Sequence, residues 1–134
     1  MDQSERERLL KRVRRQGATV GARMPETVTI RGEDLDLDEF IVETRRVEGV
    51  PPEAAEVVAE ATRSFRAARE ERFERLKHAE MERAKAEALA EEIIGIDRAL
   101  NALEGIRRPA YAEDASHQQI EDYKRWLGFL DAVR

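Results

Sequence analysis

The chain has 134 residues, 41% hydrophobic and 40% charged, with a net charge of -5 and no cysteine. That length suits one domain with a sizeable core; the acidic balance argues against a surface that grips nucleic acid all round; and without cysteine there are no disulfides, thiolate zinc sites, iron–sulfur clusters or cysteine nucleophiles. No run approaches the roughly 20 apolar residues of a membrane span, and no apolar stretch follows the mixed-charge Met1–Arg8, so the expectation is a soluble, cytoplasmic protein.

The first helix is expected over Asp2 to Gln16, with Gly17 as its C-cap. Its apolar face is narrow, holding Leu9, Leu10 and Val13. At 100° per residue, Arg8, Lys11, Arg12 and Arg15 gather on the opposite side as a basic stripe. A loop from Gly17 to Pro25 leads to a strand over Thr27 to Ile30, a turn at Arg31 to Asp34, and a returning strand over Leu35 to Leu37. Val28, Ile30, Leu35 and Leu37 alternate with polar residues, so one face of this hairpin belongs against helices, since an isolated hairpin is marginal in water. Asp38 is placed to cap a helix over Glu39 to Val47 that buries Phe40, Ile41 and Thr44, and Gly49-Val50-Pro51-Pro52 ends it.

From Glu53 the spacing predicts a long helix with Val57, Val58, Ala61, Phe65, Ala68, Phe73 and Leu76 on its apolar side. Continued to Gly105 it would be roughly 80 Å long, so a break is expected about Leu76 to Glu82. The second arm, Arg83 to Glu104, carries Leu89, Ile93, Ile96, Leu100 and Leu103 at spacings of three and four, a coiled-coil-like seam. A second stripe at Ala90, Ile94, Asp97 and Asn101 gives this helix contacts on two sides and so a central position. After Arg107-Arg108-Pro109 a last helix starts at Asp114 or Ser116 and reaches Val133, with Ile120, Tyr123, Leu127 and Leu130 on one face and Trp126, Phe129 and Val133 widening it. The fold class expected is mainly α (α+β): an N-terminal helix and short β-hairpin, followed by a helical hairpin and a C-terminal helix forming a three-helix bundle. It is read as a single domain, with an N-terminal helix–hairpin–helix lobe up to residue 50 and the bundle after it.

Few constellations in this chain carry chemistry. Asp114-x-x-His117, and His78 with Glu82 at i,i+4, are the nearest approaches to metal-ligand spacing, and two histidines without a duplicated motif read as ordinary surface residues. No G-x-S-x-G elbow is present. Gly17-Ala18-Thr19-Val20-Gly21 follows a helix rather than a strand and lacks the Gly-Lys-Ser/Thr ending, so it reads as a connecting loop and not a phosphate cradle. No catalytic residue, metal ligand or cofactor is therefore assigned. The sharpest alternative is nucleic acid: the basic helix and hairpin are parts of a winged-helix module, with Arg8, Lys11, Arg12, Arg15 and Arg23 meeting phosphates. Against it, Glu33, Asp34, Asp36 and Asp38 around the hairpin would repel a phosphate backbone, and a charge stripe on an amphipathic helix is usually its solvated face. The aromatics and cations of Tyr123-Lys124-Arg125-Trp126 fit a core face better than base stacking. Asp97, Arg98 and Asn101 beside Gly95 form a candidate polar network, read as a half-buried set of hydrogen bonds tying the bundle to the N-terminal lobe.

Gly17-Ala18-Thr19-Val20-Gly21-Ala22 with Leu37-Asp38-Glu39-Phe40, and Ile93-Ile94-Gly95-Ile96-Asp97-Arg98-Ala99-Leu100-Asn101-Ala102-Leu103 with Lys124-Arg125-Trp126-Leu127, resemble in order and over nearly the whole chain a small haloarchaeal family that is a domain of unknown function. The resemblance implies a cytoplasmic haloarchaeal protein, and no site residue comes with it. The use of Lys at only Lys11, Lys77, Lys85 and Lys124, with Arg elsewhere, agrees. The function expected is non-enzymatic, through protein–protein contact at the helical hairpin and C-terminal helix, with self-association through the Leu89 to Leu103 seam as one version. Nucleic-acid-associated regulation through the N-terminal helix and hairpin is the alternative.

Overall fold

The computed structural model describes residues 1–16, 25–47, 54–106 and 117–134, with the side chains of residues 16 and 117–120 excepted. The Gly17–Gly21 loop, Arg23, the Gly49–Pro52 break, the Arg107–Pro109 stop, the Asp114 and Ser116 caps, and the His117 and Ile120 side chains lie outside that description. The described chain is mainly helical with one small antiparallel hairpin: α1 (Gln3–Gln16), β1 (Thr27–Ile30), β2 (Glu33–Asp36), α2 (Leu37–Arg46), α3 (Ala55–His78), α4 (Arg83–Glu104) and α5 (His117–Val133).

The hairpin is tighter than expected. Ile30 pairs directly with Glu33, leaving a two-residue turn at Arg31 and Gly32, whose φ values are +53° and +82°. Positive φ at both central positions marks a type I′ turn, which matches the twist of the flanking strands. The turn therefore ends before Glu33, and β2 runs over Glu33 to Asp36 rather than Leu35 to Leu37. The following helix cap moves with it. Asp36, not Asp38, is extended and accepts a hydrogen bond from the Glu39 amide at 2.9 Å, while the Leu37 amide makes a further strand-like bond to the Glu26 carbonyl. The alternation survives the shift: Val28, Ile30, Leu35 and Leu37 are all buried.

α3 and α4 form the expected helical hairpin, broken at Ala79–Glu82, and serve as the spine of the molecule. Two apolar clusters divide the core by position along it. Near the break, Leu9 and Val13 of α1 pack with Leu76, Ala86, Leu89, Ala90, Ile93 and Ile94. Toward the other end, the hairpin, α2 and α5 close over Ala61, Phe65, Ala68, Ile96, Ala99, Leu100 and Leu103. Here the packing differs in detail from a bundle of α3, α4 and α5: α2 packs against both α4 and α5, and α3 does the same, so four helices form a ring. Phe40, Phe65 and Phe129 meet inside it, with ring centroids 5.2 and 6.2 Å apart. α4 is central as expected, because it contributes to both clusters: Leu89, Ala90, Ile93 and Ile94 pack with α1 near the break, and Ile96, Leu100 and Leu103 pack in the second cluster.

α1 is fastened by a residue that its basic composition conceals. Arg6 is buried, and its two terminal nitrogens donate to the carbonyls of Leu76 and Ala79, each at 2.8 Å. These carbonyls belong to the last turn of α3 and the residue after it, where helix geometry leaves acceptors without partners and the dipole favours a cation. Asp2 caps α1 by accepting from the Glu5 amide at 2.8 Å.

Candidate functional site

The basic stripe of α1 lies where the periodicity places it. Leu9, Val13 and Arg6 face the spine, leaving Arg8, Lys11 and Arg15 exposed and Arg12 half-buried. Arg12 and Arg15 also make contacts within the protein, so they are not free cations. Arg14, outside the expected stripe, turns toward α3, where its guanidinium lies 5.6 Å from the centre of the Phe73 ring. Arg69 and Lys77, one helical turn to either side of Phe73, approach the same ring at 5.2 and 5.5 Å. One half-buried aromatic thus holds three cations and carries the positive surface of α1 across onto α3. Lys77 is partly balanced by Glu74 at 3.6 Å and Arg69 by Asp97.

This surface does not continue onto the β-hairpin. The apolar side of α1 belongs to the cluster at the α3–α4 break, while the hairpin belongs to the other cluster. The two candidate halves of a winged-helix module thus do not share a core, and the acidic residues Glu33, Asp34 and Asp36 are exposed along the hairpin. The helix-plus-hairpin geometry expected for groove recognition is therefore not formed by the described residues.

The polar network on α4 forms with a different partner from the one expected. Asp97 pairs with Arg69 of α3, not with the N-terminal lobe. Burial pushes the Asp97 carboxyl above its ordinary value, against the hydrogen bond and charge of Arg69, which pull it down. Arg98 is half-buried and Asn101 is exposed, and each has contacts within the protein. Asp97 is thus a strut between α3 and α4.

A second polar cluster, between α2 and α5, escaped the sequence reading. Glu43 is buried, and its Oε1 accepts from Arg125 at 3.2 Å and from Arg46 at 3.5 Å. Beside it, the Trp126 Nε1 donates to the Thr44 hydroxyl at 3.0 Å, so the indole is a core residue with its polar edge satisfied. The signal was available: Glu43 flanks the Phe40, Ile41 and Thr44 face at 100° per residue. Arg6, likewise on the apolar side of α1 with Leu9 and Val13, could have been found in the same way.

No group of three His, Asp or Glu side chains among the described residues could hold a metal ion. His78 pairs with Glu74 at 3.4 Å rather than with Glu82, because the helix ends at His78 and Glu82 lies beyond the break. No described helix is long and apolar enough to cross a membrane. Among the open grooves formed by the described residues are one of about 350 Å³ beside the α3–α4 break, lined by Arg75, Glu80, Met81, Lys85 and Glu92 among others, and one of about 670 Å³ beside the β-turn. Asp97, whose pKa is shifted, lines neither.

Such an arrangement is that of a charged helical domain built on a central hairpin. The chain belongs to the family of unknown function designated domain of unknown function 5788, whose profile matches residues 1–131. No curated protein and no solved structure matches it.

Proposed function

We propose that the protein acts by binding and not by catalysis, and that its docking surface is the exposed basic side of α1 with Arg14 and Lys77, taking an acidic segment of a partner protein. The observation that carries this reading is charge segregation: with Arg6 buried, α1 still presents five basic against two acidic residues in a chain whose net charge is -5. Charge is favoured over the apolar seam because Leu89, Ile93, Ile96, Leu100 and Leu103 are all buried in the single chain. Val42 is the one large hydrophobic side chain exposed among the described residues, so recognition rests on charge rather than on an apolar patch. A short acidic segment meets only the local positive surface, whereas a long duplex also meets the field of the acidic remainder. The setting we propose with it is the cytoplasm of a haloarchaeon, in keeping with the preference for Arg over Lys.

Fluorescence anisotropy with an Asp/Glu-rich peptide and with a short DNA duplex, each at low and high KCl, tests the reading. Binding of the peptide, weakened by salt and lost in the Arg8→Glu, Lys11→Glu double variant, supports it. These positions are preferable to Arg12 and Arg15, whose internal contacts would mix binding with stability. Duplex binding without peptide binding would transfer the surface to nucleic acid, and binding of neither would overturn the proposal.

A further inference from the structure

The larger groove sits on the N-terminal half of α3, away from the α1 surface. Arg31 of the β-turn, Glu60, Arg63, Ser64 and Ala67 of α3, and Arg134 after α5 line about 670 Å³ of open space. Its three arginines are not equivalent. Arg134 is held by Glu60 at 3.3 Å and by Asp131 at 3.1 Å, which neutralises the one acidic residue lining the groove. Arg31 and Arg63 have no ion-pair partner among the described residues. Nearby cations left unpaired repel one another unless an anion lies between them.

Arg31 adds a second observation. It occupies the first central position of the type I′ turn at φ +53°, where Asn, Asp or Gly is the ordinary choice because the left-handed region is unfavourable for a longer side chain. The turn would form more readily with Asn, Asp or Gly there, and the Arg31 side chain lines the groove.

We propose that this groove is a polyphosphate-binding site. Guanidinium forks pair bidentately with phosphate oxygens, and the Ser64 hydroxyl supplies a further donor. Two unpaired guanidinium groups from separate elements, Arg31 of the β-turn and Arg63 of α3, around a groove of this size fit a ligand with linked phosphate groups rather than a single one, and Arg134, held by Glu60 and Asp131, borders it. Among the described residues Ala67 is the only apolar one lining the groove and no aromatic side chain lines it, so recognition is directed at the phosphates.

The probe is inorganic tripolyphosphate, titrated calorimetrically into the full chain, with orthophosphate for comparison. The expected result is saturable one-to-one binding, tighter than for orthophosphate, that weakens about tenfold or more in Arg63→Gln and in Arg31→Asn, as the loss of a charge-assisted hydrogen bond requires. Asn suits the turn geometry, so Arg31→Asn keeps the fold, and a thermal melt no lower than the parent's confirms this. The Lys124→Gln variant on α5, at an exposed position outside the groove, is expected to bind within about twofold of the parent, since it removes no contact there. Failure to saturate, or an equal loss in the Lys124→Gln variant, overturns the proposal, the latter because it would reduce the effect to general charge attraction. The acidic-peptide assay reads a different surface, so either proposal can fail alone.

Discussion

Replacing Arg6 by alanine removes two charge-assisted hydrogen bonds at the end of α3 and the packing of a buried side-chain stem. The Leu76 carbonyl it serves is buried and lies in the last turn of α3, where no further helical amide follows. A hydrogen bond to a charged group contributes about 1.5–3 kcal/mol, and an orphaned buried acceptor costs about 1–3 kcal/mol, two views of one loss rather than separate losses. The Ala79 bond is only partly buried and adds less, so the expected destabilisation is about 2–4 kcal/mol. For a domain of this length that lowers Tm by roughly 6–16 °C. Urea unfolding followed by circular dichroism at matched protein concentration reads the difference. Arg8→Ala is the internal control: two residues away, exposed, and expected to change stability by no more than about 0.5 kcal/mol. Arg6→Lys keeps the charge but not the fork and falls between them. Equal urea midpoints for Arg6→Ala and Arg8→Ala would refute the reasoning, because α1 would then be held by its apolar face alone.

Three further outcomes are expected. Asp97→Ala costs about 1–2 kcal/mol at neutral pH, because Arg69 Nε loses its acceptor. Asp97→Asn costs less, and its deficit relative to the parent shrinks as pH rises from about 4 to 7: the folded-state pKa of Asp97 is raised, so its favourable contribution is complete below the unfolded value and declines as pH climbs through the folded one. Chemical denaturation across that range checks the slope, and a deficit that widens with pH contradicts it. Thr44→Val and Trp126→Phe each cost about 1–3 kcal/mol, and the double variant is less destabilised than their sum by about 1 kcal/mol, because both singles break the same bond; strict additivity in a double-mutant cycle argues against the bond. Ile96→Ala lowers stability by about 2–5 kcal/mol without changing the mass measured by light scattering, since this seam residue is buried within one chain; a shift in assembly state contradicts the internal seam.

Particular residues show how far the sequence could be read. The Arg83–Glu104 helix was legible to its ends, because seam and second stripe both repeat at helical spacing and outweigh the single unfavourable residue inside, Gly95. The β-hairpin was legible in its buried alternation but not in its turn: Arg31 is an unusual residue for a left-handed position, so local preference pointed to a longer loop and placed β2 and its cap late. The α5 face was read as Ile120, Tyr123, Leu127 and Leu130 widened by Trp126, Phe129 and Val133; Leu130, Trp126 and Val133 are fully buried while Tyr123 and Leu127 are half-buried, because with aromatic or aliphatic residues on most sides the pattern does not choose which of them lies deepest. Of the candidate residues, Arg8, Lys11 and Arg15 lie on the solvent side that periodicity assigned them, and Asp97 found a polar partner on α3 rather than in the N-terminal lobe.

By itself the sequence determined the helices, the hairpin's inward face, the central place of α4 and the positive side of α1, since each follows from the geometry of a single segment. Tertiary structure decided the rest: that Arg6 caps a helix seventy residues away, that Glu43 meets Arg125, that three cations share Phe73, and that Arg31, Arg63 and Arg134 line one groove. Those pairings join residues from separate elements, and a one-dimensional period sets which way a side chain points from its own helix but not what comes to meet it.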